Sequence, residues 1–225
     1  MAIVFESYSV DYCADSSDTT LSSAVPSGTQ DGDLLIAIAT HVYVNTITPP
    51  SGWTSIFEYK NSSAYVGLSC FYKIASGESG SYSFSTRETS SNAQVVICRI
   101  SGASSDAPTG SAQGDGTWDN SITCPDQSVT VADSMILWIG STSNTAHTFT
   151  SNRGDEQYDD TNGYAYPMSV YSEIISSTGT QTGAVITTSA SKNLKSGGGI
   201  VIATAASSGP SLAAAAYYYQ RMIAG

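Results

Sequence analysis

Charge is scarce in this chain of 225 residues: 12% are Asp, Glu, Lys or Arg, and only 8 are basic. Against 19 acidic residues this leaves a net charge of −11 at pH 7. A surface of that sign repels phosphate backbones and anionic headgroups, so neither nucleic acid nor membrane is expected as a partner. Long apolar runs are missing too. The longest in the body, Leu34–Ala39, is far short of the roughly 20 residues that span a bilayer. The first ten residues, MAIVFESYSV, lack a basic segment and carry Glu6, so no secretory signal is expected and the chain should fold in a cytoplasm.

Chemistry-bearing residues are equally sparse. The two histidines are His41, at the end of an apolar run, and His147, in a polar stretch. Catalytic triads are recognised by geometry rather than spacing, but no Gly-x-Ser-x-Gly elbow accompanies either histidine. Both therefore read as solvated or hydrogen-bonded. The four cysteines have no CxxC spacing. Cys70 and Cys98 sit in strand-like runs and read as buried thiols, while a Cys13–Cys124 bridge stays open as an alternative. Gly197-Gly198-Gly199 comes before a strand rather than a helix, so it lacks the helix N-terminus of a phosphate site and reads as a turn. Arg153-Gly154-Asp155 is a receptor-type tripeptide with nothing around it to support that role. No catalytic residue and no cofactor are expected.

What the chain does have is Ser and Thr at more than a quarter of its residues, 20 Gly and 14 Tyr. These suit strands and turns. Periodicity and turn signals predict strands at 3–10, 34–44, 54–59, 65–74, 81–85 and 93–100. A second set is predicted at 128–131, 135–142, 169–175, 183–188 and 199–205. The sets resemble each other. Asp33-Leu34-Leu35-Ile36-Ala37-Ile38 answers to Ser134-Met135-Ile136-Leu137-Trp138-Ile139. Tyr72-Lys73-Ile74 answers to Ser172-Glu173-Ile174, and Val96-Ile97-Cys98-Arg99 to Ile200-Val201-Ile202-Ala203. The expected fold is all-β: an antiparallel, jelly-roll-like sandwich over residues 1–209, built from pseudo-repeats at about 20–105 and 121–208. The halves should interleave, since the strands counted for each are too few to bury both faces.

Around Thr48-Pro49-Pro50-Ser51-Gly52-Trp53-Thr54 the chain resembles a known family. A GDLLIAI-type strand, this TPPSGWT turn, an FYKIASG-type strand and a SYSFS-type strand occur in order. They resemble structural proteins from bacteriophage gene clusters: minor tail, fibre or head-decoration components. The resemblance covers most of residues 30–205 and is weaker in the second half. It implies a virion protein, most simply an exterior capsid decoration protein, because strong negative charge sits badly against packaged DNA. A tail adaptor or fibre component, or a carbohydrate-binding adhesion module, are the alternatives. The implied partners are other virion proteins, further copies of the chain and host glycans. Physically, the two prolines take the segment out of any sheet ladder, Gly52 permits a tight turn, and Trp53 should plug one end of a sandwich.

Two segments stand out as candidate sites. Asp155, Glu156, Asp159 and Asp160 read as an acidic loop, weakly suited to Ca²⁺ because that ion takes six to eight oxygen ligands. Their register misses the EF-hand pattern, and adjacent carboxylates in a loop do not set the separation a glycosidase needs. The end of the chain, 210–225, should form a short helix. Ser211 caps it, and Leu212, Ala216, Tyr219 and Ile223 fall on one face. Leu212, Tyr217, Tyr218, Tyr219, Met222 and Ile223 are the candidate partner interface, packing back on the sandwich or docking on a neighbouring subunit.

Overall fold

The structure, a computed structural model, describes residues 2–13, 18–42, 46–61, 66–86, 93–143, 148–160, 166–192 and 194–206. Among these residues all regular structure is β-strand, as the composition predicts. The first half carries β1 (Val4–Tyr12), β2 (Thr20–Ala24), β3 (Leu34–Val42), β4 (Ile47–Thr48), β5 (Thr54–Asn61), β6 (Val66–Ile74), β7 (Ser81–Thr86) and β8 (Ala93–Ser101). The second carries β9 (Thr109–Asp115), β10 (Asp119–Thr123), β11 (Gln127–Val129), β12 (Ser134–Thr142) and β13 (Phe149–Ser151). It continues with β14 (Asp155–Asp159), β15 (Met168–Ile175), β16 (Gly179–Gln181), β17 (Val185–Lys192) and β18 (Lys195–Ile202).

The strands form two five-stranded sheets, β1-β8-β3-β6-β5 and β14-β15-β12-β18-β9, and two three-stranded ones, β2-β7-β4 and β10-β17-β13. A short ribbon pairs β11 with β16. In the first half, β1-β8-β3-β6 faces β2-β7-β4, the doubly wound order of a jelly roll. Strand β5 departs from that order. It turns back as a hairpin on β6 and widens the large sheet. Strand for strand the second half repeats this connectivity, with β9, β10, β12, β13, β14, β15, β17 and β18 in the places of β1 to β8. Even an irregularity recurs: β5 is bulged between Ser55 and Phe57, and β14 between Glu156 and Tyr158.

Two expectations are corrected here. The halves do not interleave, because every sheet is built from one half alone. Each half reaches eight strands or more because edge strands such as β2, β9 and β10, rich in Ser, Thr and Gly, are recruited by pairing and carry little apolar signal of their own. The third sequence match is also two residues out of register. Leu34 pairs with Ile100 and Met135 with Ile202, so Cys98 corresponds to Ile200 and Ile100 to Ile202.

Three apolar clusters separate the four layers. The central one lies between the two large sheets, with Leu34, Ile36, Ile38 and Val96 from one side against Met135, Leu137, Ile139 and Val170 from the other. A second fills the first half between its large and small sheets, around Leu35, Ile97, Phe84 and Trp53. The third does the same in the second half, around Ile136, Trp138, Phe149 and Val201. The TPPSGWT segment performs its expected turn: Gly52 has φ 87° and Trp53 N–H donates to the Pro50 carbonyl at 3.4 Å. Trp53 then packs edge-on against Tyr82 and Phe84, with centroids 5.0 and 5.5 Å away.

The glycine triplet read as a turn lies instead inside β18, between β12 and the edge strand β9 of the second large sheet. Close packing on the outer face demands glycine at 197 and 199. A Cβ on Gly197 would sit 2.7 Å from the Thr123 carbonyl, and one on Gly199 2.7 Å from the Gln127 side chain. On the central side Phe57 lies over the positions where Gly110 and Gly198 would carry a Cβ.

This layering generates a prediction. Residues 1–106 expressed alone leave the central face of their large sheet uncovered and should aggregate, whereas co-expression with 107–225 should yield a soluble 1:1 complex. A soluble, monomeric 1–106 with a cooperative melt refutes the shared central core.

Candidate functional site

The acidic segment is not a loop. Asp155–Asp159 is the edge strand β14, paired antiparallel with β15. Its pairing sends the carboxylates to different places, because successive side chains of a strand face opposite ways. Asp155 and Glu156 are exposed, Asp159 is half-buried and Asp160 is buried. Among the described residues no group of three or more His, Cys, Asp or Glu side chains is gathered to hold a metal ion. The sequence signal misled because four acids in six residues look solvated, while the partner strand that orders them is remote in sequence.

Asp159 is nevertheless in an unusual setting. Its Oδ2 accepts from the Phe149 N–H at 3.3 Å, and its Oδ1 is buried without a partner. Burial is the main cause pushing its pKa up to about 6; the Phe149 bond opposes the shift, and the negative charges of Glu156 and Asp160 add to it.

The other sequence candidates are absorbed into packing. His41 is fully buried, its Nδ1–H donating to the Val42 carbonyl at 2.7 Å and its Nε2 accepting from Ser69 Oγ at 2.9 Å. Burial pushes its pKa down, which keeps the ring neutral. The Cε1 corner of the ring lies against Gly67, where any Cβ would stand 2.3 Å from it. Arg153 makes a two-pronged contact with Glu173, at 2.9 and 3.0 Å, and lies over the Trp138 ring at 5.3 Å. Its guanidinium is therefore committed within the fold. All four cysteines are free and buried. Cys13 belongs to the outer core of the first half and Cys124 to that of the second, with both large sheets between them, so the open Cys13–Cys124 alternative is removed. Burial raises both thiols, to about 11 and about 12. His147 and the candidate interface Leu212, Tyr217, Tyr218, Tyr219, Met222 and Ile223 lie outside the described residues.

Three features escaped the sequence. The first is a polar latch across the central seam. The carbonyl of Tyr166, whose φ is 69°, accepts from Thr40 Oγ1 at 3.0 Å and from Gln94 Nε2 at 2.6 Å. Tyr158 donates to Gln94 Oε1 at 3.2 Å and meets the Tyr12 hydroxyl at 3.0 Å, with Tyr8 edge-on at 5.3 Å. Thr40, Gln94, Tyr8 and Tyr12 belong to one half, Tyr158 and Tyr166 to the other. The second is Trp118, 69% exposed in the turn between β9 and β10. The third is a groove beside the last described residues, lined by Ile3, Asp106, Val131, Asp133, Ile174 and Ala206.

Compared with family models, curated proteins and solved structures, the chain matches none.

The acid edge yields a prediction. A carboxylate raised above its unfolded value of about 3.9 contributes stability that is complete below pH 4 and lost as pH rises through about 6. Asp159→Asn should therefore melt a few degrees above the parent at pH 8, modestly because the side chain is only half-buried, and close to it at pH 4. An equal difference at both pH values refutes the assignment.

Proposed function

We propose that the protein is a structural component of a bacteriophage particle, most simply a decoration protein on the outer face of a capsid. The observation that carries this reading is the Thr48–Thr54 segment. Its pattern resembles that of virion structural proteins, and here it makes the turn into β5 and seats Trp53 in a core. Fold alone would argue no function. The acidic surface supports the outward position, since facing packaged DNA would set like charges against each other. The packing also suits a building block: three filled interfaces bind four layers into one body. The candidate partner surface for capsid or tail subunits is the tail, Leu212 to Ile223.

The test is the protein content of purified particles made by the genome that encodes this chain. Mass spectrometry should find it at a fixed ratio to the major capsid protein, and a map of the particle should place it outside the shell. Absence from washed particles overturns the reading, and density at the tail reassigns it to the adaptor or fibre alternative.

One observation favours an adhesion role as a second reading. Trp118 is exposed to solvent in the turn that carries the chain from β9 to β10, two residues before the exposed Asn120. Aromatic faces beside hydrogen-bonding groups suit amphipathic ligands such as sugars. On that reading a glycan array should show binding that Trp118→Ala reduces at least tenfold. No binding by the parent protein dismisses it.

A further inference from the structure

The groove at the end of the described chain continues past Ile174. One depression of about 530 Å³ and a second of about 360 Å³ share Ile3 and Ile174 as lining residues. Five large apolar side chains of the described residues are well exposed, and three of them, Val4, Val131 and Ile174, line these two depressions. Exposed apolar side chains gathered in a concave place mark a docking surface. The corresponding position in the first half is different: Ile74, the counterpart of Ile174, packs against the central core. The groove is thus a departure from the internal repeat. It lies where the first half runs on into β9 and the second half runs out into the end of the chain.

Ala203, Thr204, Ala205 and Ala206, the last residues described, themselves line the groove. Their course is held by Ala205 N–H donating to the Gly102 carbonyl at 2.9 Å and by Ser104 N–H donating to the Ala203 carbonyl at 2.7 Å. The chain therefore leaves the fold within the groove. Nineteen residues remain, beginning Ser207-Ser208-Gly209-Pro210, and Gly-Pro marks a reversal of direction. Next comes a segment whose Leu212, Ala216, Tyr219 and Ile223 share one helical face. Arg221, its one charged residue, falls on the opposite side at about 100° per residue.

We propose that this groove is the seat of the chain's own residues 212–223, which turn back through 207–211 and lay the Leu212–Ala216–Tyr219–Ile223 face on Val4, Val131 and Ile174. A helix of about twelve residues is marginal alone in water and needs such a surface. The short connection keeps the segment at a high effective concentration beside the groove, which favours its own chain over a second copy. Docked in this way, the helix leaves Tyr217 and Arg221 facing outward. They become the part of the tail that a neighbouring subunit meets. The docking does not depend on the virion reading, and its test uses no particle.

The experiment is disulfide trapping in the full-length protein. Ile174→Cys is combined with Tyr219→Cys in one variant and with Tyr217→Cys in another, and both are oxidised with copper–phenanthroline. The native thiols are buried and stay silent. Ile174 is half-exposed, so the substitution is compatible with folding. The expected result is a disulfide within the monomer, formed at least fivefold faster with Tyr219→Cys than with Tyr217→Cys. In parallel, deuterium uptake over 212–223 should be slow in the parent and should rise at least tenfold in Val131→Asp. Equal trapping of both tail positions, a linked dimer instead of a linked monomer, or uptake unchanged by Val131→Asp each overturns the proposal.

Discussion

Two large sheets, each apolar on both faces, set the terms for everything else in this molecule. Antiparallel sheets usually keep one face wet, yet every described side chain of β12, and all of β3 except Val42, is buried. Each large sheet therefore needs two covers. The inner faces cover each other, and each outer face takes a three-stranded sheet of its own half. The four layers result from that requirement, and so do the free cysteines, because cores of this extent hold without cross-links.

The same constraint explains which parts of the fold were legible in the sequence. Strands buried on both faces appear as unbroken apolar runs, so Leu34–Ala39 and Met135–Ile139 stood out and the repeat could be seen through them. Edge strands had no such mark. Thr109–Asp115 is a string of small and polar residues, and it is a strand only because β18 pairs with it. The acids of β14 looked solvated for the same reason. The glycines of β18 looked like a turn because the crowding that excludes a side chain at 197 and 199 comes from Thr123 and Gln127, neither of them a sequence neighbour.

The candidate site was less legible than the fold. Sequence could show which residue types were scarce, but not that His41 and Arg153 were already committed to Ser69 and Glu173. The seam latch was invisible because it rests on a backbone carbonyl, presented by a tyrosine with positive φ. Such a conformation costs an ordinary residue of order 1 kcal/mol or more, and here the two hydrogen bonds it receives from the other half offset it. The groove was hidden too. It exists only where the start of β1, the end of β15 and the outgoing chain meet.

The bulges in β5 and β14 place Phe57 and Tyr158 at matching points of the two halves, yet the two side chains meet unlike floors. Phe57 settles over glycines, while Tyr158 settles among Gln94, Tyr8 and Tyr12. Were two first halves to meet, Phe57 would stand where Tyr158 does and leave Gln94 Oε1 without the hydroxyl it accepts from. Were two second halves to meet, the Tyr158 hydroxyl would lie over bare glycine. Only the unlike pairing satisfies both positions. The seam therefore favours the pairing of a first half with a second half over the pairing of two like halves.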